Sequence, residues 1–112
     1  MSLECIFCKI KDRSIPAAFV AENENIFVIK DIAPKAPVHY LIIPKKHVID
    51  IQSLSASDNE MAGDMLMMAQ HLSQKLSGDQ SFRLIVNSGA GVGQKVFHLH
   101  AHFLAGKRLT DF

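Results

Sequence analysis

Short apolar runs separated by polar turns occupy both ends of the chain, and one long amphipathic segment lies between them. Five runs have the length and the bounding turn residues of β-strands: Phe19–Ala21, Ile26–Ile29, Val38–Ile43, Phe82–Asn87 and Val96–Leu104. The polar turn Glu22–Asn25 joins the first two runs as a hairpin, and the two prolines in Asp31–Pro37 predict a loop before the third. The pattern therefore predicts three strands, a long interruption and two further strands.

The long interruption has the periodicity of a helix. Its apolar positions follow helical spacing: Met61, Met65, Met68, Ala69, Leu72 and Leu76. Ser57–Glu60 matches a capping box, and Gly78 stands where a C-terminal cap belongs. A second, short helix is predicted at Cys5–Asp12. Grouped strands with the long helix set apart indicate an α+β fold with an antiparallel sheet.

Composition narrows the class of protein. A chain of 112 residues with 48% apolar positions supports a single domain spanning residues 1–112. The net charge of +1 argues against a nucleic-acid partner, because such proteins carry a clustered basic excess. No apolar run is long enough to cross a bilayer. The mixed charges of the first thirteen residues do not resemble a secretory signal. We therefore expect a cytoplasmic protein with no membrane partner.

Three of the six histidines, His98, His100 and His102, alternate with apolar residues in the last predicted strand. Alternate residues of a strand point to the same face, so three imidazoles are expected on one face. Two kinds of chemistry use such a row. Neighbouring histidines can bind a metal ion, or one imidazole can attack phosphorus while another assists proton transfer to the leaving group.

The loop before this strand favours phosphorus chemistry. Ser88–Gln94 contains three glycines, whose backbone freedom allows amides to point at an anion. It is not a P-loop, since no Gly-Lys-Ser/Thr follows, and it is not a dinucleotide fingerprint, since a strand follows it. Asn87 and Gln94 flank the loop and are candidates for binding phosphate or sugar oxygens.

Cys5 and Cys8 have the Cys-x-x-Cys spacing of half a zinc site. Two further ligands are needed, and the alternative is a pair of buried thiols. His71 lies on the predicted helix and His47 follows Lys45-Lys46, so both are interpreted as surface residues.

The segment His98–Leu104 resembles the signature of the histidine triad (HIT) family. Further matching segments are Ile6-Phe7, Ile15-Pro16, Asp31–Pro34, Val38–His47, Val86-Asn87 and Gly93-Gln94. Ala105–Arg108 resembles the Hint branch of nucleoside phosphoramidases, whereas diadenosine polyphosphate hydrolases typically have a proline shortly after the triad. The resemblance implies a HIT-like fold with a five-stranded antiparallel sheet, one long helix and a short N-terminal helix.

The resemblance also implies residue roles. His100 is the expected nucleophile, His102 assists proton transfer, and the carbonyl of His98 orients His100. A purine nucleotide is expected to bind with its base among Phe7, Ile10 and Ile32. Asp31 is expected at the ribose, and Asn87 near the sugar and phosphate. The phosphate is expected to contact His100, His102 and the amides of Gly93, Gln94, Lys95 and Val96. Lys95 stands where Hint relatives often have serine, and it either adds positive charge at the phosphate or points outward.

The same resemblance implies a cofactor, an oligomeric state and an activity. Cys5, Cys8, His39 and His98 are expected to hold a structural zinc ion, and catalysis is expected to need no metal. The chain is expected to form a homodimer. The expected activity is hydrolysis of the P–N bond of purine nucleoside phosphoramidates through a nucleotidyl-histidine intermediate. The alternatives are hydrolysis of diadenosine polyphosphates or nucleotidyl esters, and a nucleotide-binding scaffold with vestigial activity.

Overall fold

The computed structural model describes residues 5–111. Its helices and strands are α1 (Ile6–Lys11), β1 (Phe19–Glu22), β2 (Ile26–Lys30), β3 (Val38–Pro44), α2 (Asn59–Ser73), β4 (Arg83–Ile85) and β5 (Ala101–Ala105). The strands form one antiparallel sheet in the order β1-β2-β3-β5-β4. The predicted α+β class, the five strands and both helices are therefore confirmed.

The sheet is covered on both faces, which explains why β2 and β3 are apolar along almost their whole length. Ile26 and Val28 point toward α2 and pack with its methionines. Phe27 and Ile29, which alternate with them, point to the other face and pack with α1. The two helices therefore define two layers of core, and the face under α1 is the one that carries the histidines.

The last strand is shorter than the sequence predicted. Its apolar residues Leu99 and Phe103 are buried on the α2 side, as the alternation required. The ladder of β5, however, begins at Ala101, so His98 and His100 lie in the segment that leads into the strand. On one side β4 ends at Ile85, opposite His102, and on the other side Leu99 donates its amide to the carbonyl of Val48 (2.6 Å) instead of pairing with β3.

Both predicted caps of α2 were misplaced. The capping box is formed by Ser55 and Asp58 around a 3₁₀ turn, and α2 begins one residue later. The helix ends at Ser73, five residues before Gly78, and continues as a tighter turn in which the amides of Lys75 and Leu76 donate to Leu72 and Ser73 (both 3.1 Å). The carboxamide of Gln80 donates to the free carbonyls of Gln74 and Leu76 (both 3.2 Å). No helix within residues 5–111 has the length and apolar character needed to cross a membrane.

Candidate active site and Cys/His cluster

The hydrogen bonds of His100 determine which of its nitrogens is free. Its Nδ1 lies 2.8 Å from the backbone carbonyl of His98, and a carbonyl can only accept, so Nδ1 carries the proton. The Nε2 atom of His100 is therefore unprotonated and holds the lone pair that a nucleophile needs. Burial lowers the pKa of this imidazole below its ordinary value, which keeps it neutral at neutral pH.

His102 belongs to a chain of three side chains, Asp31, His39 and His102, which we call the Asp/His chain. The amide of Lys35 donates to His39 Nδ1 (3.0 Å), so the proton of His39 sits on Nε2. This Nε2–H faces His102 Nδ1 at 2.9 Å and Asp31 Oδ2 at 3.3 Å. His102 Nδ1 accepts, and His102 therefore presents an Nε2–H donor beside His100, with the two ring centroids 5.2 Å apart.

The third triad residue, His98, points away from this centre. Its side chain is fully buried, and its Nε2 donates to the carbonyl of Pro44 (2.8 Å). Its Nδ1 lies 3.3 Å from Cys5 Sγ, 3.7 Å from Cys8 Sγ and 3.1 Å from His47 Nδ1. These four side chains form what we call the Cys/His cluster.

The Cys/His cluster fits a structural zinc ion. Bonds of about 2.0–2.3 Å in a tetrahedral site place ligand atoms about 3.3–3.8 Å apart, close to the spacings in the cluster. Two thiols and two imidazoles are the donor set of closed zinc sites, and the bond from His98 to Pro44 is the outer hydrogen bond that orients a ligating imidazole. Burial raises the pKa of Cys8 to about 11, so metal binding has to displace its proton.

The sequence-based ligand set was wrong in one member: His47 completes the cluster in place of His39. The register explains the error. In the antiparallel pairing His39 is opposite Leu104 and Leu41 is opposite His102, so His98 is level with the chain just after β3. His39 is instead a diagonal neighbour of His102. His47, interpreted from the sequence as a surface residue, is the ligand that this reasoning missed, and the pairing of β3 with β5 is the signal that locates it.

Burial lowers the pKa of a histidine in each of the two groups. Burial is the main cause of the lowered pKa of His98, which falls to about 4, and the positive charge of His47 adds to it. Burial also lowers the pKa of His102, with smaller contributions from His100 and His39. These shifts favour neutral rings. A neutral ring suits His98 as a metal ligand, and it gives His102 a defined tautomer.

The glycine-rich loop is held by Gln94. The carboxamide of Gln94 accepts from the Gly89 amide (2.8 Å) and donates to the carbonyls of Ile49 (2.7 Å) and Val96 (3.0 Å). Its own amide donates to Gly89 as well. Gln94 is buried and has no donor left for a phosphate, so its role here is to shape the loop.

Of the four amides expected at the phosphate, those of Gly93, Gln94, Lys95 and Val96, two remain open to an anion. Gly93 donates its amide to Ala90 (3.1 Å), and its φ of +105° is of the kind that glycine adopts readily. Within residues 5–111, no acceptor for the amides of Lys95 and Val96 is found. The side chain of Lys95 is exposed and makes no ion pair there.

The residues expected around a base differ in exposure. Phe7 is buried and packs edge-on against His98 and His100, with centroid distances of 5.8 and 5.1 Å. Ile10 is also buried, whereas the side chain of Ile32 is 100% exposed next to Asp31. Asn87 is half-buried at the end of the β4 segment. An aliphatic side chain fully in solvent beside a carboxylate is the feature that a stacked base would cover.

Comparisons with known proteins agree with this geometry. A family model described as "Scavenger mRNA decapping enzyme C-term binding" matches residues 4–112. The chain is 43% identical to an uncharacterized HIT-like protein of Synechocystis over 96% of this chain and 94% of that one. It is similar to the crystal structure of a HIT family hydrolase from Legionella pneumophila (43% identity, 96% of each chain, TM-score 0.90). It is also similar to a zinc-bound histidine triad family protein from Mycobacterium smegmatis (30% identity, 96% of this chain and 78% of that one, TM-score 0.84).

Proposed function

The chain belongs to the histidine triad (HIT) family, and we propose that it is a hydrolase that cleaves the P–N bond of purine nucleoside phosphoramidates through His100. The observation that supports this most strongly is the pair of complementary tautomers. His100 offers a lone pair on Nε2, and its neighbour His102 offers a proton on Nε2. A nucleophile beside a donor is what displacement of an amine from phosphorus requires.

The steps follow from these atoms. His100 Nε2 attacks phosphorus, a bond from phosphorus to the imidazole forms, and the P–N bond to the amine breaks. The leaving nitrogen takes up the Nε2 proton of His102, which is the side-chain donor beside His100. Water then attacks the nucleotidyl-histidine, returns a proton to His102 Nε2 and breaks the bond from phosphorus to His100, which releases the nucleoside monophosphate and regenerates both histidines.

The nucleotide-binding roles proposed for other residues fit their positions. The free amides of Lys95 and Val96 are suited to the phosphoryl oxygens, because backbone amides stabilise charge that develops there. Asp31 accepts from ribose hydroxyls through the part of its carboxylate that remains exposed beside His39. The side chain of Ile32 covers the base. The Cys/His cluster holds zinc and ties α1 to the segment before β5, and no step of the reaction passes through the metal.

We also propose a homodimer in which β4 is extended by the β4 of a second copy. Within residues 5–111 β4 is the last strand of the sheet and has a free outer edge. The exposed Leu66 of α2 is proposed as the apolar flank of this interface. Met67, the next residue and also exposed, instead lines a depression beside Ala21 and Glu22 of β1, at the opposite edge of the sheet.

The dimer is tested by size exclusion with light scattering. We expect a dimer mass at micromolar concentration, a monomer for Leu66→Glu and an unchanged dimer for Met67→Glu. A monomeric parent chain, or dissociation by Met67→Glu alone, contradicts this arrangement.

The activity is tested with adenosine and guanosine 5′-phosphoramidates, following release of amine and monophosphate. We expect turnover of both, and at least about tenfold slower turnover of diadenosine tetraphosphate and of nucleotidyl esters. His71→Ala, which alters an exposed histidine of α2, should leave the rate unchanged.

Three results would contradict the proposal. Faster cleavage of diadenosine tetraphosphate, or of a nucleotidyl ester, would assign the same histidine to the corresponding alternative activity. Tight binding of a purine monophosphate without any turnover would indicate a nucleotide-binding protein.

A further inference from the structure

His98 belongs to two sites at once. Its ring nitrogen Nδ1 is part of the Cys/His cluster, and its backbone carbonyl holds Nδ1–H of His100 at 2.8 Å. The ring is fully buried and its other nitrogen is tied to Pro44. Because the ring is held at both nitrogens, it helps to fix the backbone of His98, and with it the carbonyl that determines which nitrogen of His100 is free.

A second connection runs through α1. Cys5 caps the N-terminus of this helix, accepting from the amide of Cys8 with its sulfur (3.4 Å), and Cys8 lies within the helix. Phe7, between the two cysteines, packs edge-on against the rings of His98 and His100. A helix of six residues does not hold itself in place, because isolated helices this short are unstable in water. The cluster therefore also sets the position of the side chain that packs against the nucleophile.

We propose that the Cys/His cluster, when it holds zinc, positions the His100 nucleophile, so that loss of zinc lowers the rate of P–N cleavage in protein that remains folded. This rests on the proposed function for the reaction and on the hydrogen bonds of His98 for the mechanism. Cys5, Cys8 and His47 are positioning residues in this account, since none of them touches the reacting atoms. The expectation from the sequence was different: a closed zinc site that affects stability alone.

The effect of zinc loss reaches His100 through the ring of His98. Nδ1 of His47 and Nδ1 of His98 lie 3.1 Å apart, and release of a shared ion would remove the bonds that hold both rings in place. A displaced His98 carbonyl no longer selects the Nδ1–H tautomer of His100, and the Nε2–H tautomer, which has no lone pair toward the substrate, becomes populated. Asp31 and Ile32 lie outside the cluster, so binding of the nucleotide should change much less than its cleavage.

The experiment compares zinc-loaded wild type, wild type stripped with a chelator, and His47→Gln in excess zinc chloride. The control is Leu72→Ala, which removes packing from the opposite, α2-side core and lowers the melting temperature without touching the cluster. Ring nitrogen NMR reports the tautomer of His100, assigned by the signals that disappear in His100→Gln. Methyl signals of α2 confirm that each sample is folded. Turnover is measured with adenosine 5′-phosphoramidate, and binding with AMP.

In zinc-loaded wild type and in Leu72→Ala we expect a single Nδ1–H tautomer at His100. Stripped protein and His47→Gln should show a mixture of tautomers and a kcat at least about tenfold lower, with AMP affinity within about threefold. If stripping unfolds the chain, His47→Gln, which keeps three ligands, carries the comparison.

A single Nδ1–H tautomer and a kcat within twofold of wild type in folded, zinc-depleted protein would overturn the proposal. An equal loss of kcat in Leu72→Ala would do so as well. If zinc orders the His100 tautomer but no phosphoramidate is cleaved, the positioning role is supported and the proposed function fails. If turnover is high and independent of zinc, the proposed function is supported and the positioning role fails.

Discussion

The Cys/His cluster and the Asp/His chain lie on the same face of the sheet but have opposite chemistry. The cluster joins the start of α1 to the segments just outside β3 and β5, whereas the Asp/His chain takes its two histidines from within these strands. In the Cys/His cluster, two thiols and two ring nitrogens converge on one point, which is the donor set that a zinc ion prefers. In the Asp/His chain each donor meets an acceptor, from the Lys35 amide through His39 to His102. The first group is suited to a shared cation, whereas the second is satisfied by its own hydrogen bonds. The difference shows that the spacing of histidines alone does not distinguish a metal site from an arrangement that defines tautomers.

His100, which lies between the two groups, carries the largest expected effect. His100→Ala should lower turnover by about 10⁴-fold or more, because the covalent step has no other nucleophile. The fold and binding of AMP should be retained. Trapping of the wild type with a slow substrate, followed by mass spectrometry, should place the modification on His100. A modification on His98 or His102 would contradict the assignment of His100 as the nucleophile.

The Cys/His cluster should dominate stability. Cys5→Ser should release zinc and lower the melting temperature by about 10 °C or more, because zinc binding contributes directly to folding. Calorimetry with elemental analysis measures both. Ser77→Ala, which changes an exposed residue in the turn after α2, serves as the control. If the protein contains less than about a tenth of an equivalent of zinc and Cys5→Ser leaves its stability unchanged, the two cysteines are ordinary buried thiols.

The Asp/His chain should show the converse pattern. His39→Ala removes the donor to His102 Nδ1, so the His102 ring can adopt the tautomer that lacks an outward proton. We expect kcat to fall by about 100-fold while zinc content stays at one equivalent. His47→Ala is the matched variant, and in this protein we expect zinc to be lost. Loss of zinc in His39→Ala would mean that the ligand set derived from the sequence was right after all.

The smallest effect concerns pH. Burial lowers the pKa of both His100 and His102 from 6.5, so both stay neutral to lower pH than a free imidazole. Since attack needs neutral His100, kcat/KM should stay level as pH falls from about 8 to 6.5 and decline only below 6.5. The unfolded chain takes up these protons first, so stability should also fall as pH drops below 6.5. An acid limb of kcat/KM that lies above pH 6.5 would contradict the lowered pKa of His100.

Much of the fold follows from local patterns. Alternation of apolar residues located five strands, and helical spacing located α2, because both depend on which faces are buried. The alternation at Leu99 and Phe103 also placed the histidines on the face away from α2. The ends of strands and helices were less well predicted. Before β5, the amide of Leu99 is bound by Val48, which is remote in sequence. After α2, the free carbonyl of Gln74 is bound by Gln80, six residues further on.

By itself the sequence determined the residue types of the site: three alternating histidines, a glycine-rich loop and a pair of cysteines at zinc-binding spacing. Only the tertiary structure decided which residues meet. The register of β3 with β5 places His39 diagonal to His102 and brings the chain after β3, with His47, to His98. Spacing along one strand carries no information about the offset between two strands, because that offset is set by the packing of the whole sheet. For the same reason the hydrogen bonds that select each tautomer became visible only in the folded chain.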